Sequence, residues 1–334
     1  MSTNILIIQE EAEKYAAMIE AKFPREVKDG TLKLYPCKDE SSIPDDVSHI
    51  NIVGTWPLVR QIPQMKELKW VMTFSSGVDH WEKSGLLPGK IPLVHVPGGS
   101  GVPVAEFVIG LLLNHVKHYD EIWENQKQVK FVRIQGQELY GKTLGIIGLG
   151  GIGREIAKRA KAFDMNVIGT DIAVMDIPFV DKVYLASEFE TVLQISDFVV
   201  LSCPETKETL NMMNEQRFRM MKPAAYFINC ARGSLVVKED LIKALEEGYI
   251  AGASIDTFWI KNPLPSYLPP DDPLWKAKNV RLSPHISSWT DMYSVRFGEV
   301  FVENIGRYLR GEPLISVAPG FGESSRVIYS RKIS

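Results

Sequence analysis

A glycine-rich segment in the middle of the chain constrains the fold more than any other feature. Residues 143–171 have the sequence TLGIIGLGGIGREIAKRAKAFDMNVIGTD. An apolar run of strand length is followed by Gly148, Gly150 and Gly153 in G-x-G-x-x-G spacing, and then by an amphipathic stretch with helical spacing. A second apolar run ends in an acid, Asp171. This order predicts a β–α–β unit that binds a dinucleotide, whereas the glycine spacing alone also occurs by chance in turns that bind nothing.

Each glycine of the segment has a physical role in that prediction. Gly148 permits a tight turn, Gly150 lets the backbone approach a pyrophosphate, and Gly153 lets the helix pack close to the strand. The pyrophosphate is then expected at the positive end of the helix, near Gly151 and Ile152.

The acid at the end of the second run predicts which dinucleotide is bound. Asp171 is able to accept hydrogen bonds from both ribose hydroxyls, and its charge would repel a 2′-phosphate. The sequence therefore favours NAD over NADP as the cofactor.

Apolar runs alternate with amphipathic stretches along most of the chain, which predicts an α/β protein with parallel sheets. In the first hundred residues the predicted strands are 4–8, 31–35, 49–54, 69–74 and 92–96, with a helix over 10–23. From residue 143 onward they are 143–148, 166–171, 197–202, 225–230, 251–256 and 280–285, and a helix over about 290–310 follows. Six strands in the second set match a doubly wound dinucleotide-binding domain.

The segment between the two sets of strands predicts a hinge. Residues 97–103, PGGSGVP, are rich in glycine and proline. An unusually apolar helix is predicted after it, over 104–123, and it is suited either to the core or to contact with another subunit.

Composition excludes several classes of protein. The 334 residues suffice for two domains, and a formal net charge of −3 does not favour nucleic-acid binding. The longest apolar segment, 104–116, is too short to span a bilayer and contains Glu106, and the N-terminus does not resemble a signal peptide. The three cysteines have no Cys-x-x-Cys spacing, so we predict a soluble cytoplasmic protein without a metal site or disulfide framework.

Chemically active residues follow the later predicted strands, and in open parallel sheets ligands bind beyond the carboxyl ends of the strands. These residues are Cys203-Pro204, Cys230-Ala231-Arg232, Asp256 and Pro284-His285. A guanidinium holds a carboxylate in two parallel bonds, and a histidine exchanges a proton with a hydroxyl as hydride moves to or from nicotinamide. The alternatives are an arginine that caps a turn and a histidine at a bend, and the nucleotide site on the same sheet favours the chemical roles.

In this order the motifs resemble those of the D-isomer-specific 2-hydroxyacid dehydrogenase family, and most of all its glyoxylate/hydroxypyruvate reductase-type members. The resemblance covers most of the chain. It rests on SSGVDHW (75–81), VAE (104–106), GLGGIG (148–153), Asp171, CPET (203–206), NCARGSLV (229–236), GASIDTF (252–258) and SPHIS (283–287).

The resemblance implies an architecture and an activity. A Rossmann-type doubly wound parallel-sheet domain over 102–287 would be inserted in a smaller flavodoxin-like α/β substrate domain over 1–101 and 288–334. The protein would be a homodimer with the 104–123 helix at or near the interface. It would interconvert a small 2-keto acid and its D-2-hydroxy acid by NAD-dependent hydride transfer.

The resemblance also implies individual roles. Arg232 would hold the substrate and His285 would be the acid/base. The backbone N–H groups of Ser76, Gly77 and Val78 would bind the substrate carboxylate. Apart from the resemblance, we expect Trp289, with Trp56, to shape the pocket, although buried tryptophans of this kind are more often part of a core. The residues implied to line the NAD site beyond the glycine segment are Pro204, Thr209, Cys230, Ala231 and Asp256.

The chain departs from the family at the partner of the catalytic histidine. Family members usually place a glutamate before a proline, five residues after the acid that matches Asp256, whereas residues 256–265 here are DTFWIKNPLP. An ungapped comparison puts Lys261 in that position, and one inserted residue puts Asn262 there. A lysine would repel a protonated imidazole, and an asparagine would orient the ring without lending charge. The Pro-Leu-Pro that follows favours Asn262.

The missing glutamate keeps another function open. An NAD-binding sensor or scaffold with little turnover is the main alternative to an enzyme. A formate dehydrogenase is a weaker one, because that family's N-terminal portion and active-site asparagine context are not evident.

Replacing Asn262 with glutamate tests whether this position tunes His285. Reduction of a keto acid requires the protonated ring, and a neighbouring carboxylate stabilises that form. We therefore expect the rate of the natural chain to decline at lower pH than in glutamate-bearing relatives, and the decline to move to higher pH in Asn262→Glu. The pH dependence of kcat/KM measures the shift, and an unmoved inflection would contradict the hypothesis.

Overall fold

The computed structural model describes residues 2–87, 91–259 and 268–322. The chain divides into two compact units, one of Met1–Ser100 with Thr290–Ser334 and one of Gly101–Trp289. Each unit is built on a sheet whose strands all pair in parallel. The predicted α/β class is thereby confirmed.

The first unit has a five-stranded sheet in the order β2-β1-β3-β4-β5. Its strands are β1 (Thr3–Ile8), β2 (Leu32–Cys37), β3 (Ile52–Thr55), β4 (Trp70–Thr73) and β5 (Leu93–Val94), and its helices are α1 (Ala12–Lys22), α2 (Pro24–Lys28), α3 (Asp79–Ser84) and α10 (Tyr293–Leu309). The side chains of residues 5–8 are fully buried on both faces of the sheet, as expected for a continuous apolar run in a parallel sheet. One face packs on α1 and α10, so the start and the end of the chain share one core.

The second unit has a seven-stranded sheet in the order β12-β11-β10-β9-β6-β7-β8. Its strands are β6 (Thr143–Ile147), β7 (Asn166–Asp171), β8 (Lys182–Leu185), β9 (Phe198–Leu201), β10 (Tyr226–Asn229), β11 (Gly252–Ile255) and β12 (Val280–Leu282). Its helices are α4 (Gly101–Lys117), α5 (Tyr119–Lys127), α6 (Gly151–Lys161), α7 (Phe189–Ile195), α8 (Glu215–Met220) and α9 (Lys238–Glu246). The order reverses between β6 and β9, which places the carboxyl ends of β6, β7 and β9 around one crevice.

The strand that sequence analysis missed is β8. Its four residues lie at the edge of the sheet and none is buried. Its apolar run, 183–185, is only three residues long and partly exposed, so the sequence pattern does not distinguish it from a loop.

The apolar helix predicted over 104–123 is two helices. His118 has φ +55°, a left-handed conformation that ends α4, and α5 begins at the next residue. Helical spacing continues through the break, so the pattern of apolar residues does not reveal it. The last helix begins at Tyr293, a few residues later than predicted.

Candidate functional site

The turn between β6 and α6 has the geometry of a phosphate cradle. Gly148 has φ +102°, and a Cβ added there would lie 2.7 Å from the backbone nitrogen of Cys203. A Cβ on Gly153 would lie 2.1 Å from the carbonyl oxygen of Gly148, whereas one on Gly150 would meet nothing within 4 Å. Packing within the protein therefore requires two of the glycines, and the third faces open space.

The first turn of α6 supplies hydrogen-bond donors to that open space. Among the described residues, none accepts a hydrogen bond from the backbone N–H of Gly151, Ile152 or Gly153, and the first bond of the helix runs from Arg154 N to Gly150 O at 3.0 Å. Unpaired amides at the positive end of a helix stabilise an anion. The turn therefore fits the diphosphate of a dinucleotide.

The loop after β7 presents a carboxylate and apolar side chains. Asp171 ends the strand half-buried, and its Oδ1 accepts a hydrogen bond from Ile172 N at 2.7 Å. Residues 172–181 contain no lysine or arginine. A neighbouring base, Arg154, donates from Nε to the carbonyl oxygen of Leu149 at 2.8 Å.

A buried carboxylate holds the segment that carries His285. Asp256 is 1 % exposed and directly follows β11. Its Oδ1 accepts hydrogen bonds from Ser283 Oγ at 2.6 Å and Ile286 N at 3.1 Å, and its Oδ2 accepts one from Ser287 N at 3.1 Å. The donors lie on both sides of His285, so the carboxylate fixes the backbone that carries the ring.

This arrangement explains the backbone conformation of the histidine. His285 has φ +56°, a region that costs free energy for a residue other than glycine and persists where the surroundings enforce it. Burying a carboxylate is also costly unless hydrogen bonds compensate it, and the three bonds of Asp256 do so. The sequence predicted Asp256 at the NAD site but carries no local signal of this positional role.

The turn after β10 positions Arg232. Asn229, the last residue of the strand, donates from Nδ2 to Arg232 O at 2.8 Å and accepts from Ala231 N at 3.1 Å. The guanidinium Nη1 donates to Ala231 O at 2.8 Å, and the side chain is half-buried. Since β11 lies between β10 and β12, this turn and the segment of His285 leave the sheet two strands apart, or roughly 10 Å.

Asn229 is a second residue that sequence analysis missed. A polar residue at the end of a fully buried strand was its only signal in the sequence.

The remaining residues predicted at the NAD site differ in exposure. Cys230 and Ala231 are 6 % and 5 % exposed, and burial raises the pKa of the Cys230 thiol, which donates to Leu201 O at 3.3 Å. Thr209 donates from Oγ1 to Pro204 O at 2.8 Å and closes the loop after β9. Because the side chains of Cys230 and Ala231 are buried, only the backbone of these two residues is suited to contact a ligand.

In the first unit, the loop after β4 has unpaired amides. Hydrogen bonds hold the side chain of Ser76 and the carbonyl groups of Ser76 and Gly77. Ser76 Oγ donates to Ser100 Oγ at 3.0 Å, and Ser76 O lies 2.9 Å from the Nδ1 of His95. Ser75 Oγ donates to Gly77 O at 2.6 Å. Within the described ranges, no acceptor pairs with the N–H groups of Gly77 and Val78. Adjacent free amides form an anion-binding concavity.

The remaining predicted site residues are Lys261, Asn262 and two tryptophans. Lys261 and Asn262 lie outside the described residues. Trp56 is half-buried in the first unit, and Trp289 in the second unit is exposed. In the described part of the chain, no cluster of His, Cys, Asp and Glu is arranged to bind a metal, and no helix is long and apolar enough to cross a membrane.

Comparisons with known proteins agree with the resemblance stated from the sequence. A sequence model described as "D-isomer specific 2-hydroxyacid dehydrogenase, NAD binding domain" matches residues 109–287. A glyoxylate reductase of Thermofilum pendens is 40 % identical over 254 residues, which are 73 % of each chain.

Solved structures with the same fold cover nearly the whole chain. A D-isomer specific 2-hydroxyacid dehydrogenase family protein of Aeromonas salmonicida is 27 % identical with a TM-score of 0.85, over 96 % of this chain and 100 % of the other. An NADPH-dependent glyoxylate/hydroxypyruvate reductase of Sinorhizobium meliloti, in complex with NADP and sulfate, is 25 % identical with a TM-score of 0.79, over 96 % and 99 % of the two chains.

Two glycine substitutions separate the packing of the cradle from its binding of phosphate. Gly150→Ala places a methyl group in open space, so we expect an unchanged Tm but an NADH Kd at least about tenfold higher. Gly153→Ala forces its methyl against a backbone carbonyl, so we expect a lower Tm as well. Thermal unfolding and NADH fluorescence titration measure both effects, and an unchanged NADH affinity in Gly150→Ala would contradict the assignment.

Proposed function

Since the chain belongs to the D-isomer specific 2-hydroxyacid dehydrogenase family, we propose that it reduces a small 2-keto acid to the D-2-hydroxy acid with NADH, and catalyses the reverse reaction with NAD. One observation carries the proposal. The buried carboxylate of Asp256 fixes the segment of His285 at the carboxyl edge of the sheet whose β6–α6 turn forms the phosphate cradle.

The second unit contributes the reacting groups. When bound, the reduced nicotinamide supplies the hydride that reaches the carbonyl carbon of the keto acid. His285 in its protonated form donates a proton to the carbonyl oxygen, so that the product is a neutral hydroxyl group. Arg232 binds the substrate through its planar guanidinium, which also stabilises negative charge that develops on the oxygen.

The first unit contributes a carboxylate-binding loop. The free amides of Gly77 and Val78 donate hydrogen bonds to an anionic oxygen without any movement of the loop, because side chains already hold both carbonyls. Such preorganised donors bind a carboxylate with little cost in conformational entropy. A loop of this kind suits a substrate with a carboxylate, such as the small 2-keto acids of the proposed reaction.

NADH absorbance with a panel of glyoxylate, hydroxypyruvate, pyruvate and bulkier keto acids tests this function. We expect turnover of the smaller acids, and loss of it in His285→Gln without loss of NADH binding, because the proton donor alone is removed. Arg232→Lys keeps the charge but not the paired donors, so we expect an increase in KM of about tenfold or more. Tight NADH binding without turnover of any acid would favour the sensor or scaffold alternative.

Asp171 favours NAD as the cofactor. Its carboxylate is suited to bind the ribose hydroxyls, and the loop that follows it contains no basic residue to pair with a 2′-phosphate. The Sinorhizobium meliloti relative is NADPH-dependent, so the preference of this chain depends on its own loop.

The cofactor preference is measured as the ratio of kcat/KM for NADH to that for NADPH. We expect the natural chain to prefer NADH, and Asp171→Ser to lower the ratio by about tenfold or more, because repulsion of the 2′-phosphate is removed. A natural chain that prefers NADPH, or a ratio that Asp171→Ser leaves unchanged, would contradict this role.

An exposed apolar surface suits a homodimer. On and after α5, large apolar side chains are exposed, among them Trp123, Val129, Phe131 and Tyr140. The helix itself is fixed, because its Asp120 forms an ion pair with Arg281 of β12. Several large exposed apolar side chains on one stretch of chain favour an interface, and a second copy of the chain is the partner that the family resemblance implies.

Sedimentation velocity tests the dimer. Twice the chain mass of 37.6 kDa is expected for the natural protein, and Phe131→Asp should shift it towards one chain mass, because a charge in an apolar interface is costly. Ile195→Asp is the control, since it changes an exposed apolar residue on α7. A natural protein that sediments as a monomer would overturn the proposal.

A further inference from the structure

The imidazole of His95 directs the carboxylate-binding loop of the first unit. Its Nδ1 lies 2.9 Å from the carbonyl oxygen of Ser76. A carbonyl oxygen only accepts hydrogen bonds, so the ring donates through Nδ1–H. His95 follows β5, the strand next to β4, whose end carries the loop.

Because the peptide group is planar, this hydrogen bond also sets the direction of the Gly77 amide. The carbonyl of Ser76 and the N–H of Gly77 belong to one trans peptide group and point to opposite sides of it. Because the ring of His95 holds the carbonyl of Ser76 on one side of the peptide group, the N–H of Gly77 points to the other side. Ser75 does the same for the next peptide, since its Oγ holds Gly77 O at 2.6 Å and leaves the N–H of Val78 opposite.

His95 is itself well anchored. Its backbone N–H donates to Ser316 O at 3.0 Å, and the ring is partly buried. Burial lowers the pKa of His95 and so favours the uncharged ring, and the contact with Ser76 O requires a proton on Nδ1. The ring thus acts on the loop through a directed hydrogen bond rather than through charge.

The hydrogen bonds between Ser76 and Ser100 do not replace the one from His95. Ser100 N donates to Ser76 Oγ at 3.2 Å, and that oxygen donates to Ser100 Oγ. Both contacts hold the side chain of Ser76, and neither determines the rotation of the peptide that joins it to Gly77.

We propose that His95 is a positioning residue for substrate binding, which aims the Gly77 amide at the substrate carboxylate. The inference rests on the proposed function and deepens it, because it names the group that sets affinity for the carboxylate end of the substrate. It assigns no role in proton or hydride transfer to His95.

His95→Leu and His95→Asn test the proposal, because both new side chains branch at Cγ as the imidazole does. Asn places an amide nitrogen on Cγ, where His has Nδ1, whereas Leu fills similar space without a donor. In His95→Leu we expect KM for the keto acid, and the Kd of oxamate with the NADH complex, to rise by about tenfold. In His95→Asn both should stay within about threefold of the natural protein, and kcat should change less than KM in either variant.

The controls separate this inference from the proposed function. Circular dichroism and Tm establish that both variants fold, and the Kd of NADH should be unchanged, since the phosphate cradle belongs to the second unit. Equal KM and oxamate Kd in the Leu and Asn variants would overturn the role of His95 while the enzyme remains active. A natural protein that neither reduces a keto acid nor binds oxamate would overturn the proposed function instead.

Discussion

The site depends above all on one buried carboxylate, that of Asp256. A charge that is 1 % exposed is stable only where hydrogen bonds replace the water it has lost, and three donors on the segment from Ser283 to Ser287 do so. Because an unpaired buried acceptor costs free energy, the segment stays in the one conformation that makes all three bonds. The left-handed backbone of His285 is a consequence of that constraint.

The same principle operates elsewhere in each unit, with neutral groups. The amide of Asn229 closes the turn of Arg232, and the hydroxyl of Ser75 and the ring of His95 orient the peptides of the loop after β4. In each case a side chain satisfies a backbone group and thereby leaves the functional group in a defined direction. Binding groups fixed in this way lose little entropy when a ligand arrives.

Much of the architecture follows from the sequence, because buried parallel strands are continuous apolar runs and glycine spacing reflects steric contact. The tight turn predicted at Gly148 has its counterpart in a φ of +102°, and the close packing predicted at Gly153 in the contacts that a Cβ would make there. Elements without such a signal were missed: β8 is a half-exposed edge strand, and the helix break at His118 interrupts no periodicity.

The hydrogen-bond partners within the site were the least predictable part. Asp256 and the segment of His285 are about thirty positions apart in sequence and meet only because β11 and β12 are neighbours in the sheet. Likewise, nothing in the sequence near His95 indicates that its ring bonds to Ser76, which comes from a different strand end. Such pairings arise from tertiary structure, so local patterns reveal the strand ends but not the contacts between them.

The most direct test of the central claim is the kinetics of Asp256→Asn at saturating NADH. The substitution keeps one acceptor oxygen but turns the other into a donor, so at least one of the three bonds to the His285 segment is lost. If the carboxylate positions His285, kcat should fall by about tenfold or more while the Kd of NADH changes little. An unchanged kcat, with or without weaker NADH binding, would contradict the account.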